Sequence, residues 1–226
     1  VNAIDDDGET PLMLSLSKDF YYGNPIALIN EGARASINKK DKHGRTALMF
    51  AAQSGDVRMI QMLLDVGASL NARDNKGQTA LTYAALGYSS RSDVIRFLVS
   101  AGLKVDDEND DGQTALMLAA QRYAAEAVSQ LLKAGADSSV NKKDKVGRTA
   151  LMYAVSEAIY PYLLPEAVTS LIGAGADVNE ADESGQTVLM FALRGRSLQS
   201  IKRLLEGGAR VNAQDKQGLT ALMHAI

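Results

Sequence analysis

Apolar residues fall into paired blocks along the chain, separated by polar punctuation. The first block of each pair opens on Leu12, Leu48, Leu81, Leu116, Leu151, Leu189 or Leu222. Small residues follow at Ala51, Ala84, Ala119, Ala154, Ala192 and Ala225. The second block centres on Leu28-Ile29, Leu63-Leu64, Leu98-Val99, Leu131-Leu132, Leu171-Ile172 and Leu204-Leu205. Both blocks read as short helices. A Thr stands two residues before each opening Leu, at Thr10, Thr46, Thr79, Thr114, Thr149, Thr187 and Thr220. There its hydroxyl can cap the free N–H groups of a helix start, and Pro11 beside Thr10 suits the first helical position. Each second block stops at a glycine: Gly32, Gly67, Gly102, Gly135, Gly175 and Gly208. A left-handed residue closes a helix at such a point, and any side chain there costs roughly 1 kcal/mol. A helix with Ala on one face can lie close to its neighbour, so the pattern predicts stacked helix pairs.

The same turn returns between the pairs. Asp5, Asp41, Asp74, Asn109, Asp144, Asp182 and Asp215 each stand three residues before a glycine, namely Gly8, Gly44, Gly77, Gly112, Gly147, Gly185 and Gly218. An Asx side chain can close a turn onto its own backbone, and Gly tolerates a positive φ there. The motif Gly-x-Thr-(Ala/Pro/Val)-Leu thus recurs seven times, at intervals of 36, 33, 35, 35, 38 and 33 residues. A period in the low thirties signals a solenoid of stacked two-helix units. It overrides the ordinary expectation of one or two compact domains for 226 residues. The prediction is one elongated domain over 1–226, with repeats at about 5–40, 41–73, 74–108, 109–143, 144–181 and 182–214 and a partial one at 215–226. Six helix pairs and one orphan helix would make it up. Such a stack has no single deep cleft; it has one long surface.

The pattern Asp-x-x-Gly-x-Thr-x-Leu, a helix, then Leu-Leu-x-x-Gly-Ala-x-Val-Asn resembles the ankyrin repeat over the whole chain. The Leu70-Asn71, Val178-Asn179 and Val211-Asn212 pairs fit its end. The resemblance implies an all-α solenoid of antiparallel helix pairs, joined by β-hairpin fingers at right angles to them. It also implies a concave face built from the fingers and the first helix of each pair. One departure is systematic. Where the family usually has His after the motif's Leu, this chain has Met13, Met49, Thr82, Met117, Met152, Met190 and Met223. Thioether packing should therefore replace the family's polar network at the repeat interface. The Thr-Ala-Leu-Met variant resembles bacterial ankyrin proteins more than animal ones.

Charge narrows the partner class. With 24 basic and 27 acidic residues and a formal net charge of −3, the chain lacks the basic stripe that general nucleic-acid binding needs. No apolar run approaches membrane-spanning length. Without Cys, neither a disulfide framework nor a Cys-based zinc site can form, and the compartment is left open. Val1-Asn2-Ala3 resembles the tail of an earlier repeat, and Ala221 to Ile226 supply only the first helix of a seventh unit. The expectation is a segment of a longer protein.

Uniform positions hold a repeat stack together, so variable positions are where recognition is sought. Repeat three has extra residues around Gly87-Tyr88-Ser89-Ser90, and repeat five has more within Glu157 to Pro165. Repeats one and four each add two residues before the next finger, at Arg34 to Ile37 and at Ser138-Ser139. Six of the eight tyrosines lie in the helix-to-helix connections: Tyr21, Tyr22, Tyr88, Tyr123, Tyr160 and Tyr162. In an ankyrin-like stack these connections form one rim of the concave face. Aromatic side chains dominate binding hot spots because they bury much area and still hydrogen-bond. Tyr123 takes the usual Gly position with no added residues, so packing over its own turn competes with binding there. Tyr160 and Tyr162, in an insertion bracketed by Pro161 and Pro165, read as binding residues.

Finger tips differ in charge. Asp5-Asp6-Asp7 is acidic, Lys39 to Arg45 basic, Asp106 to Asp111 acidic, Lys142 to Arg148 basic, and Glu180 to Glu183 acidic. Such blocks can select a partner by charge register, or can simply attract one another along the stack at roughly 0 to 1 kcal/mol per exposed pair. The candidate protein-binding residues are Tyr88, Tyr123, Tyr160, Tyr162, Asp110, Asp111, Lys145 and Arg148, centred on repeats three to five.

Catalysis would need titratable groups converging in a pocket. The two histidines, His43 and His224, lie about five repeats apart, and no Cys nucleophile or phosphate-binding Gly-rich loop exists. The acidic clusters lack the calcium-loop pattern. His224 follows Met223, where other repeats have Leu14, Phe50, Tyr83, Leu118, Tyr153 and Phe191, so core packing is its expected role. The reading is a non-catalytic, monomeric module that binds a partner protein on its concave face, with no cofactor, metal, nucleic acid or membrane span. Two alternatives are a regulatory module for a small ligand and a segment that stacks end to end.

Overall fold

The computed structural model describes residues 2–17, 24–87, 92–122, 124–156 and 164–225. Its helices begin and end where the punctuation puts them. The first helix of each repeat is α1 (Pro11–Leu16), α3 (Ala47–Ser54), α5 (Ala80–Leu86), α7 (Ala115–Gln121), α9 (Ala150–Ser156) and α11 (Val188–Arg194). The second is α2 (Pro25–Asn30), α4 (Val57–Asp65), α6 (Ser92–Ser100), α8 (Ala125–Lys133), α10 (Leu164–Gly173) and α12 (Leu198–Glu206). The additions at Arg34 to Ile37 and at Ser138-Ser139 fold as 3-10 turns, Ala33–Ser36 and Ala136–Ser139. The last repeat departs from expectation: Met223–Ala225 is a single 3-10 turn instead of an α-helix.

Two compact units divide the chain, Val1–Lys104 and Val105–Ile226. In the first, α1, α3 and α5 pack in sequence and α4 packs on α6. In the second, α7, α9 and α11 form the row of first helices and α8, α10 and α12 the row of second helices. This arrangement explains the two compositions. A first helix has neighbours on three sides, so all of Ala47 to Ala52 in α3 and all of Ala150 to Val155 in α9 are buried. A second helix keeps one face wet, so α4 buries only Met59, Ile60 and Leu63. Each fully buried Leu or Ile of this kind contributes roughly 1.5–3 kcal/mol relative to an exposed one.

The hydroxyls of Thr10, Thr114, Thr149 and Thr187 cap their helices as predicted, whereas those of Thr46 and Thr79 accept no such bond. The Thr10 hydroxyl accepts the Met13 N–H at 3.2 Å, and the Thr10 N–H donates to the Met13 sulfur at 3.4 Å. The same backbone-to-sulfur bond recurs from Thr46 to Met49 and from Thr187 to Met190. In repeat three Thr82 Oγ1 takes the role, accepting from Thr79 N at 2.9 Å. In repeats one, two and six the Met that replaces the family's His therefore does more than pack: its sulfur is a soft acceptor for the N-cap N–H.

Asn residues at the repeat ends tie each unit internally. Asn38 donates to the Gly67 carbonyl at 2.9 Å and accepts from Ser69 N at 2.7 Å. Asn141 does the same with Gly175 and Asp177, and Asn179 with Gly208 and Arg210. These carbonyls belong to the left-handed helix stops, Gly67, Gly175 and Gly208, with φ of 96°, 90° and 86°. The helix stop of one repeat is thus also the docking point for the one before it.

Candidate functional site

The fingers are built on one repeated turn. In each, Oδ1 of the leading Asp or Asn accepts two backbone N–H groups, two and four residues on. At Asp41 these come from His43 at 2.9 Å and Arg45 at 2.7 Å; at Asp144 they come from Val146 at 3.0 Å and Arg148 at 2.8 Å. The expected β-hairpins shrink accordingly. Among the described residues the fingers hold single antiparallel bridges only, Glu108 with Thr114, Ala181 with Thr187 and Gln214 with Thr220. Turn closure by the Asx side chain takes over the work that strand pairing would have done.

Fingers within a unit are stitched by backbone. The N–H just after a leading acid donates to a carbonyl of the preceding finger: Lys42 to Asp7 at 2.9 Å and Asn75 to His43 at 2.9 Å in the first unit. In the second unit Lys145 donates to Asp111 at 3.0 Å, Glu183 to Val146 at 3.1 Å and Lys216 to Ser184 at 3.0 Å. This closeness explains the finger glycine. A Cβ on Gly147, whose φ is +81°, would sit 2.6 Å from the Glu183 nitrogen.

In three repeats the second carboxylate oxygen of the finger Asp faces the residue nine positions later. Tyr83 donates its phenol to Asp74 Oδ2 at 2.8 Å, and Tyr153 to Asp144 Oδ2 at 2.6 Å. His224 Nε2 meets Asp215 Oδ2 at 2.7 Å. This corrects the core-packing role expected of His224, whose ring is a polar partner of the turn. The signal in the sequence was a Tyr or His nine residues after an Asp, close enough for one helical turn to return beneath the finger. Burial first, and then the bond to the carboxylate, push both phenols above their usual range. Burial alone would raise the Asp215 carboxyl, but the Leu219 and Gln217 N–H groups and the His224 ring outweigh it and leave it lowered.

The residue after the finger Gly is the variable one: Glu9, Arg45, Gln78, Gln113, Arg148, Gln186 and Leu219. In the first unit Arg45 is fully engaged. Its Nε donates to Asp41 Oδ2 at 2.5 Å, its Nη2 to Glu9 at 2.8 Å, and its guanidinium lies 4.5 Å from the Phe50 ring centre. Burial holds the Glu9 carboxyl above its usual range in spite of Arg45. In the second unit Arg148 lies 6.0 Å from the Tyr153 ring centre and 5.2 Å from that of Phe191. Its Nε is buried with no hydrogen-bond partner. Arg194 approaches the same Phe191 ring at 4.8 Å and donates to Gln186 at 2.6 Å.

Of the residues expected to bind a partner, Tyr88, Tyr123, Tyr160 and Tyr162 lie outside the described residues. Asp111 and Lys145 are brought together by the backbone bond between their fingers, and Arg148 stands on the same finger as Lys145. Asp110, Asp111 and Lys145 are exposed. Several neighbouring tip charges pair instead: Lys142 with Glu108 at 2.9 Å, Lys143 with Glu180 at 2.6 Å and Lys42 with Asp7 at 3.9 Å. Among the described residues no three His, Asp or Glu side chains converge as metal ligands, and no helix is long and apolar enough to cross a membrane.

Comparison with known proteins agrees with this architecture. A family model for ankyrin repeats matches three times, over residues 21–109, 89–167 and 157–226. The human "Photoreceptor ankyrin repeat protein" is 40% identical over 62 residues, a stretch covering 27% of this chain and 13% of that protein. The likeness to it is therefore local. The family matches run across nearly the whole chain, and ankyrin repeats are generally protein–protein interaction modules. The chain belongs to the ankyrin-repeat family.

Proposed function

We propose that this chain is a non-catalytic recognition module that holds a partner protein on its finger side, against the fingers and first helices. One observation carries the reading. The frame repeats with the same caps, turns and stitches, while the residue after each finger Gly changes from Glu to Arg to Gln to Leu. Constant residues build the stack; the changing ones, half-buried apart from exposed Leu219, differ without breaking it. The contact would centre on repeats four and five, where Asp110, Asp111, Lys145 and Arg148 lie on adjacent fingers. The aromatic insertion that holds Tyr160 and Tyr162 is its second candidate contact. A stable interface of roughly 800 Å² per partner needs several adjacent repeats.

The test is a pull-down from source lysate with the parent chain and with Tyr160→Ala/Tyr162→Ala side by side. A protein retained by the parent and lost by a normally melting variant supports the reading. If the parent retains nothing at low salt, the recognition reading fails.

End-to-end association is a second reading, favoured by exposed Leu219, Leu222 and Met223 in the last repeat, the middle one 72% exposed. It predicts a mass that rises with concentration and returns to monomer in Leu222→Glu. A constant monomer mass rules it out.

A further inference from the structure

Arg45 and Arg148 hold the same place in their repeats, four residues after the finger Asp, yet only one is satisfied within the chain. Arg45 has two carboxylates, Asp41 Oδ2 and Glu9. Two residue differences take both away from Arg148. Where repeat two has Phe50, repeat five has Tyr153, and its phenol already occupies Asp144 Oδ2. Where repeat one offers Glu9, repeat four offers Gln113, whose amide donates to the Tyr153 oxygen at 2.9 Å. Among the described residues Arg148 has no ion pair, and its Nε is buried without a partner. Arg194, also without an ion pair among the described residues, shares the Phe191 ring with it. Two guanidinium groups on one aromatic ring repel each other, and neither is neutralised from within.

A guanidinium stacked on rings keeps its in-plane N–H fork for a carboxylate, the geometry in which Arg binds most strongly and selectively. We infer that the finger-side face of the second unit takes an acidic side chain, Asp or Glu, of a partner protein at the guanidinium groups of Arg148 and Arg194, which the buried Phe191 ring holds beside each other. This rests on the recognition reading above and gives the partner a chemistry. The carboxylate supplies to Arg148 what Asp41 and Glu9 supply to Arg45. Lys145, exposed on the finger of Arg148, extends the cationic surface toward the tip.

A phage-displayed library of random twelve-residue peptides tests this. It is panned against the parent chain, Arg148→Gln/Arg194→Gln and, as a control, Arg45→Gln. The parent and Arg45→Gln should select peptides enriched several-fold in Asp and Glu, and the double variant should lose that bias. One selected peptide is then synthesised with its acid and with the matching amide. The amide should weaken binding to the parent about tenfold and leave binding to the double variant unchanged, the coupling a close charge pair gives. Arg194→Gln alone, at an exposed position, keeps the test valid if the double variant fails to fold, and should lose part of the bias. Peptides selected without acidic bias, or with equal bias in the variants, overturn this inference and leave the recognition reading standing. If no peptide is selected by any form, both readings fail together.

Discussion

Tyr83, Tyr153 and His224 share one task at three places in the chain, each closing onto the finger Asp nine residues upstream. The task has a signature in alkali. The folded values of the Tyr83 and Tyr153 phenols lie above the usual 10, so the folded chain holds those protons more tightly than the unfolded one. Their contribution to stability is complete below pH 10 and declines as pH rises through the folded values. Tyrosinate absorbance should therefore report late phenols at Tyr83 and Tyr153, released with unfolding, and Tyr153→Phe should remove one of them. Simultaneous titration of all eight near pH 10 would refute the bonds. The two arginines differ in the same residue-level way. Arg45→Gln strands a carboxylate oxygen of buried Asp41 and should cost about 1–3 kcal/mol in urea denaturation. Arg148→Gln strands no carboxylate and removes only stacking on two rings, so it should cost less, about 0.5–1 kcal/mol. Equal losses would mean that Arg148 is structural and not held for a partner.

Each helix pair is defined by its ends more than by its middle, which is why the sequence is so readable at this scale. Thr caps, Asx turns and glycine stops are local devices, and they predicted the start of the first helix in repeats one to six. The sixth and seventh repeats mark the limit. Both open on Thr and Leu, yet α11 is helical while Met223–Ala225 is one 3-10 turn. The difference lies in packing: α11 rests against α9 and α12, whereas Leu222 and Met223 are 72% and 55% exposed. Short helices are marginal without such tertiary burial. The fingers differ for another reason, since Asx closure needs no strand pairing and the period carries no sign of which will be used. Glycines divide into two kinds on the same logic. Gly175 has a positive φ but open space around it, so Gly175→Ala should cost about 1–2 kcal/mol. Gly147 has both the positive φ and the Glu183 backbone against it, so Gly147→Ala should cost clearly more in denaturant melts. A smaller loss at 147 than at 175 would contradict the stitch between fingers.

At the scale of the whole molecule, a constant frame carries a changing surface. The period and caps made the family legible from one sequence, and the matches across residues 21–226 agree. The candidate surface was legible only in part. Lys145 and Arg148 stood out as charges in a basic finger, but what separates Arg148 from Lys142 is whether a carboxylate within the chain reaches it. Lys142 finds Glu108, 34 residues away, while Arg148 loses Asp144 to Tyr153. Contacts across repeats decide this, and no local pattern encodes them. Phe191 and Arg194 were passed over for the same reason, since each looks like an ordinary helix residue until the ring is seen between two cations. The most direct test is amide hydrogen exchange of the chain alone and in complex with a protein captured by it. The account predicts slowed exchange over the fingers at 144–148 and 182–186 and little change in α8, α10 and α12. Protection confined to those second helices, with the fingers unchanged, would place recognition on the opposite side and contradict it.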